Sequence, residues 1–260
     1  MFLTINDKQK LTIFSTIFQM LKSWNPIITL TFSEEKMRIQ SMDLSHICLT
    51  NIEFNKEWFS TYNCNNDFDI SLNTSDFATL MKYATNYSTL ELKCDGAESD
   101  TLYVNFLINP ENKIPGTYNH FFELNLSITD VENINIPNIE YDVEITMETK
   151  HLSHVLSELN TFGDTLNIEC CEEYVELKTD GENTKLNVNI PSSDFIEYAI
   201  NEGEVISSSF SLKHLYSKCM SCDLSKRLQL NVSANMPIML RYDIGHTSFA
   251  NFYVAPKIAE

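Results

Sequence analysis

Residues 27–54 read IITLTFSEEKMRIQSMDLSHICLTNIEF, and residues 164–191 read DTLNIECCEEYVELKTDGENTKLNVNIP. Both stretches alternate apolar and polar residues in short runs separated by polar turns, which is the pattern of antiparallel β-strands. Laid on each other without a gap, they are expected to keep their apolar positions in phase. Such a repeat predicts that the chain contains two copies of one strand-rich domain.

Four segments with a helical period accompany these strands, at residues 7–23, 74–85, 148–161 and 211–221. Asp7 can cap the first helix, and Thr74 or Ser75 can cap the second. The third helix follows the first by about 140 residues, and the fourth follows the second by about 137. We therefore predict an α+β fold of two tandem domains, each with two helices over an antiparallel sheet. Their predicted bounds are 1–124 and 143–260, joined by a connecting loop at 125–142.

The composition is that of an acidic globular protein. The 260 residues include 18 basic and 36 acidic side chains, and the net charge is −18. With 43% apolar residues, 16 Phe and 11 Tyr, the chain has the material for a core and is not a disordered segment. It has no apolar run long enough to span a bilayer, and its first residues, MFLTINDKQK, soon turn polar. We expect no membrane partner.

The charge is unevenly distributed. The four helical segments hold four acidic residues and seven lysines, a balance of +3 that leaves −21 for the remainder. These lysines are Lys8, Lys10, Lys22, Lys82, Lys150, Lys213 and Lys218. Ordinary solvated helix faces are one interpretation, and a surface that meets phosphates without reading bases is the other. A ring would reconcile both charges, because basic helices could line a central hole while the outer face stays acidic.

Five stretches together resemble one protein family. They are QSMDLSHICL (40–49), DTLYVNF (100–106), ENINIPNIEY (132–141), NMPIMLRYDI (235–244) and the tail YVAPKI (253–258). The chain resembles the proliferating cell nuclear antigen family of eukaryotic and archaeal DNA sliding clamps along its whole length. The resemblance implies a closed homotrimeric ring around duplex DNA, independent of base sequence. It would hold DNA polymerase for processive synthesis, serve other replication and repair proteins, and be opened by a clamp loader.

The resemblance also implies a pocket for short partner motifs, called PIP motifs, which carry a glutamine, an aliphatic residue and two aromatic residues. The positions that would form it are Met42, His46, Ile47, Leu49, Ile134, Ile136, Pro137, Pro237, Tyr253, Val254, Ala255, Pro256, Lys257 and Ile258. The residues support such a surface independently, since apolar side chains recur in the connecting loop and beside the chain end. Pro256 also prevents regular strand pairing of the tail.

Two further surfaces follow from the resemblance. The DNA-facing positions would be Lys10, Ser15, Thr16, Lys22, Lys82, Lys150, His154, Lys213 and Lys218. Ser15, Thr16, Thr79 and Ser157 stand where relatives carry basic residues, so we expect weaker static DNA affinity. Subunit contacts would pair an edge strand at 118–126 with one at 182–190. The residues expected there are Phe121, Phe122, Lys185 and Asn187.

Other functional classes find less support in the sequence. It has no phosphate-binding glycine loop, no GxSxG or HExxH motif and no clustered His/Cys ligand set, so we predict no enzyme, no metal and no cofactor. Cys219-x-x-Cys222 is the one metal-like spacing, and thiols without such a role are the simpler interpretation. An odd number of cysteines without a framework spacing indicates a reducing compartment. The resemblance implies that this compartment is the nucleus or a viral replication compartment in an infected cell. The alternatives left open are a subunit of a heterotrimeric clamp, a clamp-folded monomeric viral processivity factor and an acidic scaffold that binds no DNA.

Overall fold

A computed structural model describes residues 1–112, 115–128, 134–137 and 139–257, without the side chains of Asn112 and Lys218. The chain divides into two compact units. The first, here the N-terminal unit, comprises Met1–Met42, Asn51–Ile134 and Ile244–Ala250. The second, the C-terminal unit, comprises Asp43–Thr50, Asn135–Asp243 and Asn251–Glu260. The predicted α+β class is confirmed, with antiparallel sheets and few helices in each unit.

The N-terminal unit contains two helices and most of the first nine strands. In chain order they are β1 (Phe2–Ile5), α1 (Lys8–Leu21), β2 (Ile27–Phe32), β3 (Lys36–Met42), β4 (Cys48–Asn55), β5 (Thr61–Asn63), β6 (Phe68–Asn73), α2 (Thr74–Ala84), β7 (Thr89–Lys93), β8 (Thr101–Leu107) and β9 (His120–Asn125). One sheet has the order β5-β1-β7-β8-β9, and a second ladder joins β3, β2 and β6, all antiparallel. The first three residues of β4 belong to the C-terminal unit.

An aromatic cluster forms the core between α1, α2 and the strands of the N-terminal unit. Phe14 and Phe18 recur on one face of α1, and Phe18 meets Phe77 of α2 with 4.6 Å between ring centroids. Phe54 and Trp58 extend the cluster at 4.7 Å. Edge-to-face pairs of this kind add to the stabilisation that burial alone provides. The helical period therefore places the aromatic face of α1 against α2.

The N-caps of the first two helices satisfy amide groups that would otherwise lack partners. Asp7 accepts a hydrogen bond from Lys10 N at 2.9 Å, as the sequence predicts. The prediction of Thr74 or Ser75 for α2 is wrong, because Asn73 is the extended residue whose side chain accepts from Asp76 N at 3.0 Å. The helix thus starts directly at Thr74.

The C-terminal unit repeats this architecture. In chain order its elements are β10 (Val143–Glu148), α3 (Thr149–Phe162), β11 (Thr165–Cys170), β12 (Tyr174–Asp180), β13 (Lys185–Pro191), β14 (Glu197–Ile200), β15 (Ile206–Ser211), α4 (Leu212–His214), β16 (Arg227–Val232), β17 (Ile238–Gly245) and β18 (Ser248–Val254). One antiparallel sheet has the order β13-β12-β11-β15. Strands β14, β10, β16 and β17 form a second ladder, and β17 and β18 each contribute residues to both units.

The gapless superposition of the two repeats is wrong by one residue. Ile28 and Leu30 are buried in β2, and the buried positions of β11 are Leu166 and Ile168, so equivalent residues lie 138 apart. The spacing of 137 sets Leu30 against Asn167, which points to the opposite face. Because side chains alternate along a strand, a shift of one residue exchanges the two faces of the sheet.

The fourth helix is shorter than predicted and changes type. After α4 the chain continues as a π-helix over Leu215–Cys219. The hydroxyl of Tyr242 donates to Cys219 O at 3.0 Å and accepts from Ser221 N at 3.4 Å. These bonds end the helical segment before residue 221, while Leu215 and Cys219 stay buried as the apolar period requires. None of the helices in the described ranges is long and apolar enough to cross a membrane.

Candidate partner-binding and nucleic-acid surfaces

In the C-terminal unit, the side chain of Asp43 fixes the turn between Asp43 and Cys48. Asp43 Oδ1 accepts hydrogen bonds from the backbone N–H groups of Ile47 at 2.9 Å and Cys48 at 2.8 Å. The backbone also closes a turn from His46 N to Asp43 O at 2.9 Å, with His46 in the left-handed region at φ 57°. A buried carboxylate that accepts several N–H bonds holds such a turn firmly. His46 is therefore presented to solvent and Ile47 is half-buried.

The C-terminal tail lies against this turn. Ala255 N donates to Ile47 O at 2.9 Å, and Lys257 N donates to Ser209 O of β15 at 2.7 Å. Tyr253, like Ala255, is half-buried. Val254 differs from the prediction, because its side chain is fully buried and belongs to the core. The residue as a whole is buried, so a partner would not contact it directly.

Two partly buried tyrosines, Tyr141 and Tyr253, lie near each other in this region. The hydroxyl of Tyr141 donates to Pro237 O at 3.1 Å. Burial raises the pKa of Tyr141, and the nearby Tyr253 raises it further. The pKa of Tyr253 is raised by burial as well, although the side chain of Asn251 donates to its hydroxyl at 3.3 Å. Both phenols are neutral at physiological pH and add no charge to this region.

The remaining predicted pocket residues are distributed as follows. In the C-terminal unit, Leu49, Ile136, Pro237 and Pro256 are half-buried, and Pro137 and Lys257 are exposed. Met42 and Ile134 are half-buried residues of the N-terminal unit, and Ile258 lies outside the described residues. Sequence reasoning missed Leu44 and Met236, which are 72% and 37% exposed. Each is an apolar residue within a polar turn, a pattern that predicts an exposed apolar side chain.

A polar cleft lies between the tail and the sheet of the C-terminal unit. Its volume is about 630 Å³, and it is lined by Asn167, Ile168, Glu169, Lys178, Ser207, Ser208, Ser209, Asn235, Pro256 and Lys257. The Ser209 hydroxyl donates to the Asn167 side chain at 2.6 Å, the Ser208 hydroxyl donates to Ser233 O at 3.3 Å, and Lys257 Nζ donates to the Thr165 hydroxyl. Hydroxyl, amide and ammonium groups can make more than one hydrogen bond, so the wall retains capacity for a ligand. The cleft thus offers hydrogen bonds directly beside the apolar surface.

The predicted DNA-facing residues of the N-terminal unit fall into two groups. Lys22 and Lys82 are exposed near the ends of α1 and α2, and Thr16 is half-buried. Lys10 differs, since its Nζ donates to Trp58 O at 2.6 Å and lies 5.5 Å from the centroid of that ring. Ser15 is buried, and its hydroxyl donates to Met81 O of α2 at 2.7 Å. Neither Lys10 nor Ser15 presents its polar group to a ligand in this arrangement.

The C-terminal unit exposes Lys150, His154 and Lys213, whereas the side chain of Lys218 lies outside the described part. The ammonium group of Lys150 lies 3.1 Å from Glu148 Oε2, and His154 Nε2 lies 3.4 Å from Glu158 Oε1. Exposed pairs of this kind are weak and open easily. These side chains therefore remain accessible to an anion.

Two cations that the sequence analysis missed lie beside Lys150. A cleft of about 490 Å³ is lined by Glu148, Thr149, Lys150, Cys222, Ser225, Lys226 and Arg227. The hydrogen bond from Lys150 holds the pKa of the Glu148 carboxyl below its usual range, so one anion faces three cations. Arg227 begins β16 and Lys226 directly precedes it, so neither lies on a helix, and the charge pattern of the helical segments does not include them.

The strands predicted for subunit contacts lie at sheet edges. Strand β9 is the last strand of its sheet beside β8, and β13 is the last strand beside β12. Phe121 of β9 is 70% exposed, whereas Phe122 packs against Phe106 with 5.6 Å between ring centroids. Lys185 and Asn187 are exposed on β13. Edge strands with a large exposed apolar side chain can pair with another chain.

Comparisons with known proteins cover both halves of the sequence. The model of the proliferating cell nuclear antigen N-terminal domain matches residues 6–133, and that of the C-terminal domain matches residues 135–257. The chain is also similar to proliferating cell nuclear antigen of Chaetomium thermophilum, with 27% identity over 233 residues and 88% of each chain covered. The predicted resemblance and the fold of two tandem domains are both confirmed. The chain belongs to the proliferating cell nuclear antigen family.

Proposed function

We propose that the protein is a DNA sliding clamp, a homotrimeric ring that encircles duplex DNA and holds DNA polymerase and other replication and repair proteins on it. Membership of the family over both domains supports this function. We assign it no catalytic step. The name of the similar protein carries the word nuclear, which favours action in a nucleus. A viral replication compartment in an infected cell is the other possible location.

The observation that carries the proposal is the surface formed by the turn and the tail in the C-terminal unit. The bond from Ala255 N to Ile47 O brings two distant segments together. Half-buried side chains around this bond, with Tyr253 and Pro237 among them, could receive the aliphatic and aromatic residues of a PIP motif. The adjoining polar cleft offers partners for its glutamine.

A labelled peptide with a PIP motif tests this surface. Tyr253→Ala should weaken peptide binding at least about tenfold, because it removes an aromatic anchor from the centre of the surface. Tyr174→Ala, another half-buried tyrosine of the same unit, is the matched control and should leave affinity unchanged. Equal losses in both variants would contradict the assignment, and the same would follow if the unaltered protein failed to bind the peptide.

The proposed DNA contacts are with phosphates rather than bases. Lys22, Lys82, Lys150 and Lys213 supply the exposed positive charges from the helices. We add Lys226 and Arg227, which extend the charge of Lys150 along its cleft. Lysine and arginine contacts to phosphates position DNA without selecting its sequence. A Lys226→Ala, Arg227→Ala double variant should bind duplex DNA with a shallower salt dependence.

The assembly is tested by light scattering at micromolar concentration. A homotrimer of 29.9 kDa chains should give about 90 kDa. A mass of about 30 kDa would contradict the self-closing ring and would favour either sister subunits or a monomeric processivity factor. The peptide assay remains informative in both cases, because the surface formed by the turn and the tail lies within one chain.

A further inference from the structure

Three potential metal ligands meet beside the turn between Asp43 and Cys48. They are the carboxylate of Asp43, the thiol of Cys48 and the imidazole of His214, and their ligand atoms all lie within 4.8 Å of one another. Asp43 and Cys48 are each 1% exposed, whereas the His214 side chain is 16% exposed. The cluster is thus enclosed, with access on the side of the histidine.

The carboxylate is oriented toward the cluster. Its Oδ1 is held by the backbone N–H groups of Ile47 and Cys48, so the whole group has a fixed direction. Its Oδ2 lies 3.8 Å from His214 Nε2 and accepts a hydrogen bond from the Ser45 hydroxyl. One oxygen therefore anchors the group, and the other faces the imidazole.

The imidazole is oriented as well. His214 Nδ1 lies 2.8 Å from Ser211 Oγ, and Nε2 lies 3.3 Å from Ser45 Oγ. When the Ser211 hydroxyl accepts from Nδ1–H, the lone pair of Nε2 points into the cluster. Histidines that bind metals commonly donate their second ring N–H to a neighbouring oxygen in this way. The arrangement supplies this outer contact before any metal binds.

We propose that Asp43 Oδ2, Cys48 Sγ and His214 Nε2 form a zinc site, with water as the fourth ligand. A mixed set of oxygen, sulfur and nitrogen ligands suits Zn²⁺, whereas Mg²⁺ and Ca²⁺ prefer oxygen alone. Tetrahedral zinc places such atoms about 3.3–3.6 Å apart, given bonds of about 2.0–2.3 Å. The atoms must therefore approach one another by about 1.3 Å or less, and the Ser45 hydroxyl must turn away from Asp43.

Binding balances charge and protons within the site. The thiol of Cys48 releases its proton to solvent, and its sulfur becomes a thiolate that binds the metal. The carboxylate contributes a second negative charge and the neutral imidazole contributes none, so the complex with Zn²⁺ is neutral. A buried site favours a neutral complex, because no net charge is then removed from water.

Cobalt titration of the full chain, after treatment with a chelator, tests the proposal directly. We expect one Co²⁺ per chain, visible bands of a tetrahedral complex and a thiolate-to-cobalt charge-transfer band, all abolished by Zn²⁺. Cys48→Ser should remove the charge-transfer band, and His214→Gln should weaken metal binding by at least about tenfold. Cys222→Ser is the matched control, since this exposed cysteine lies outside the cluster.

Several results would overturn the proposal. It fails if no charge-transfer band develops, if the band survives Cys48→Ser or if it is lost in Cys222→Ser. Circular dichroism of each variant checks that the fold is intact. His214→Gln gives a second criterion if Cys48→Ser does not fold, because unchanged cobalt affinity in this variant would also refute the site. No partner or DNA enters these assays, so the proposed clamp function stands or falls separately.

Discussion

Lys10 and Lys22 both lie near or on α1 and both were expected to face DNA, but the structure gives them different roles. Lys10 donates to Trp58 O at 2.6 Å and lies over the Trp58 ring. Lys22 is exposed at the end of the helix. We predict that Lys10→Ala lowers protein stability and leaves DNA binding unchanged. Lys22→Ala should leave stability nearly unchanged and weaken DNA binding.

The expected magnitudes follow from these interactions. Lys10→Ala removes a hydrogen bond from a charged donor and a cation–π interaction, and it deprives a carbonyl of that donor. Because the side chain is half-buried, we expect the free energy of unfolding to fall by about 1–3 kcal/mol. Lys22→Ala should change the free energy of unfolding by less than about 0.5 kcal/mol. It should reduce the slope of log affinity against log salt by up to about 0.9 for each phosphate that Lys22 neutralises.

Two assays separate these outcomes. Urea denaturation gives the free energy of unfolding, and fluorescence anisotropy of a labelled duplex over a range of salt concentrations gives the slope. Lys8→Ala is the matched control, because it removes the same charge from an exposed position at the start of α1. If Lys10→Ala flattened the salt dependence as much as Lys22→Ala, the structural distinction between them would be refuted.

Three further predictions concern stability, assembly and thiol chemistry. Tyr242→Phe should cost about 1–3 kcal/mol in urea denaturation, because it removes the hydroxyl bonded to Cys219 O, and a change below about 0.5 kcal/mol would contradict this. Phe121→Asp should lower the light-scattering mass from about 90 to about 30 kDa. The control Val205→Asp, also at an exposed apolar residue, should leave the mass unchanged. A Phe121→Asp variant that remains a trimer would exclude β9 from the interface. Burial raises the pKa of the Cys170 thiol to about 12, so folding should lose stability as the pH rises above about 8.5, where the unfolded thiol ionises. Iodoacetamide at pH 8 should accordingly label the exposed Cys222 well before Cys170, and equal rates would contradict the burial of Cys170.

The sequence was sufficient to predict the first three helices to within two residues at each end. Each has apolar residues at helical spacing, and Asp7 supplies a recognisable cap for α1. The fourth helix was predicted too long because its end depends on Tyr242, a residue more than twenty positions away whose hydroxyl captures the last carbonyl. Local periodicity cannot detect a hydrogen bond from a distant strand.

The sequence itself indicates that Lys10 and Ser15 share a helix face with buried residues of α1. Lys10 is four residues before Phe14, and residues at this spacing share a helix face. Ser15 likewise lies four residues after Leu11 and three before Phe18, on the buried side of α1. For a polar side chain in an amphipathic helix, the phase relative to the apolar residues therefore predicts burial better than polarity does.

The cluster of Asp43, Cys48 and His214 is of another kind, because no local pattern could predict it. Two of its members lie in one turn, and the third lies more than 160 residues later in the chain. The tertiary fold of the C-terminal unit, in which the turn lies close to α4, brings them together. By contrast, the pairing of the turn with the tail was expected, because the resemblance assigned both segments to one surface.

The corrected charge distribution bears on how the proposed clamp would hold DNA. With Lys10 bound to Trp58 O and Ser15 to Met81 O, the helices of the N-terminal unit offer Lys22 and Lys82 as predicted basic contacts. A ligand held by attraction alone would need more contacts, since each phosphate contact is weakened by salt. A closed ring does not have this requirement, because its topology prevents escape and weak contacts permit sliding. In the proposed ring, the exposed Lys22 and Lys82 would therefore be sufficient contacts for the N-terminal unit.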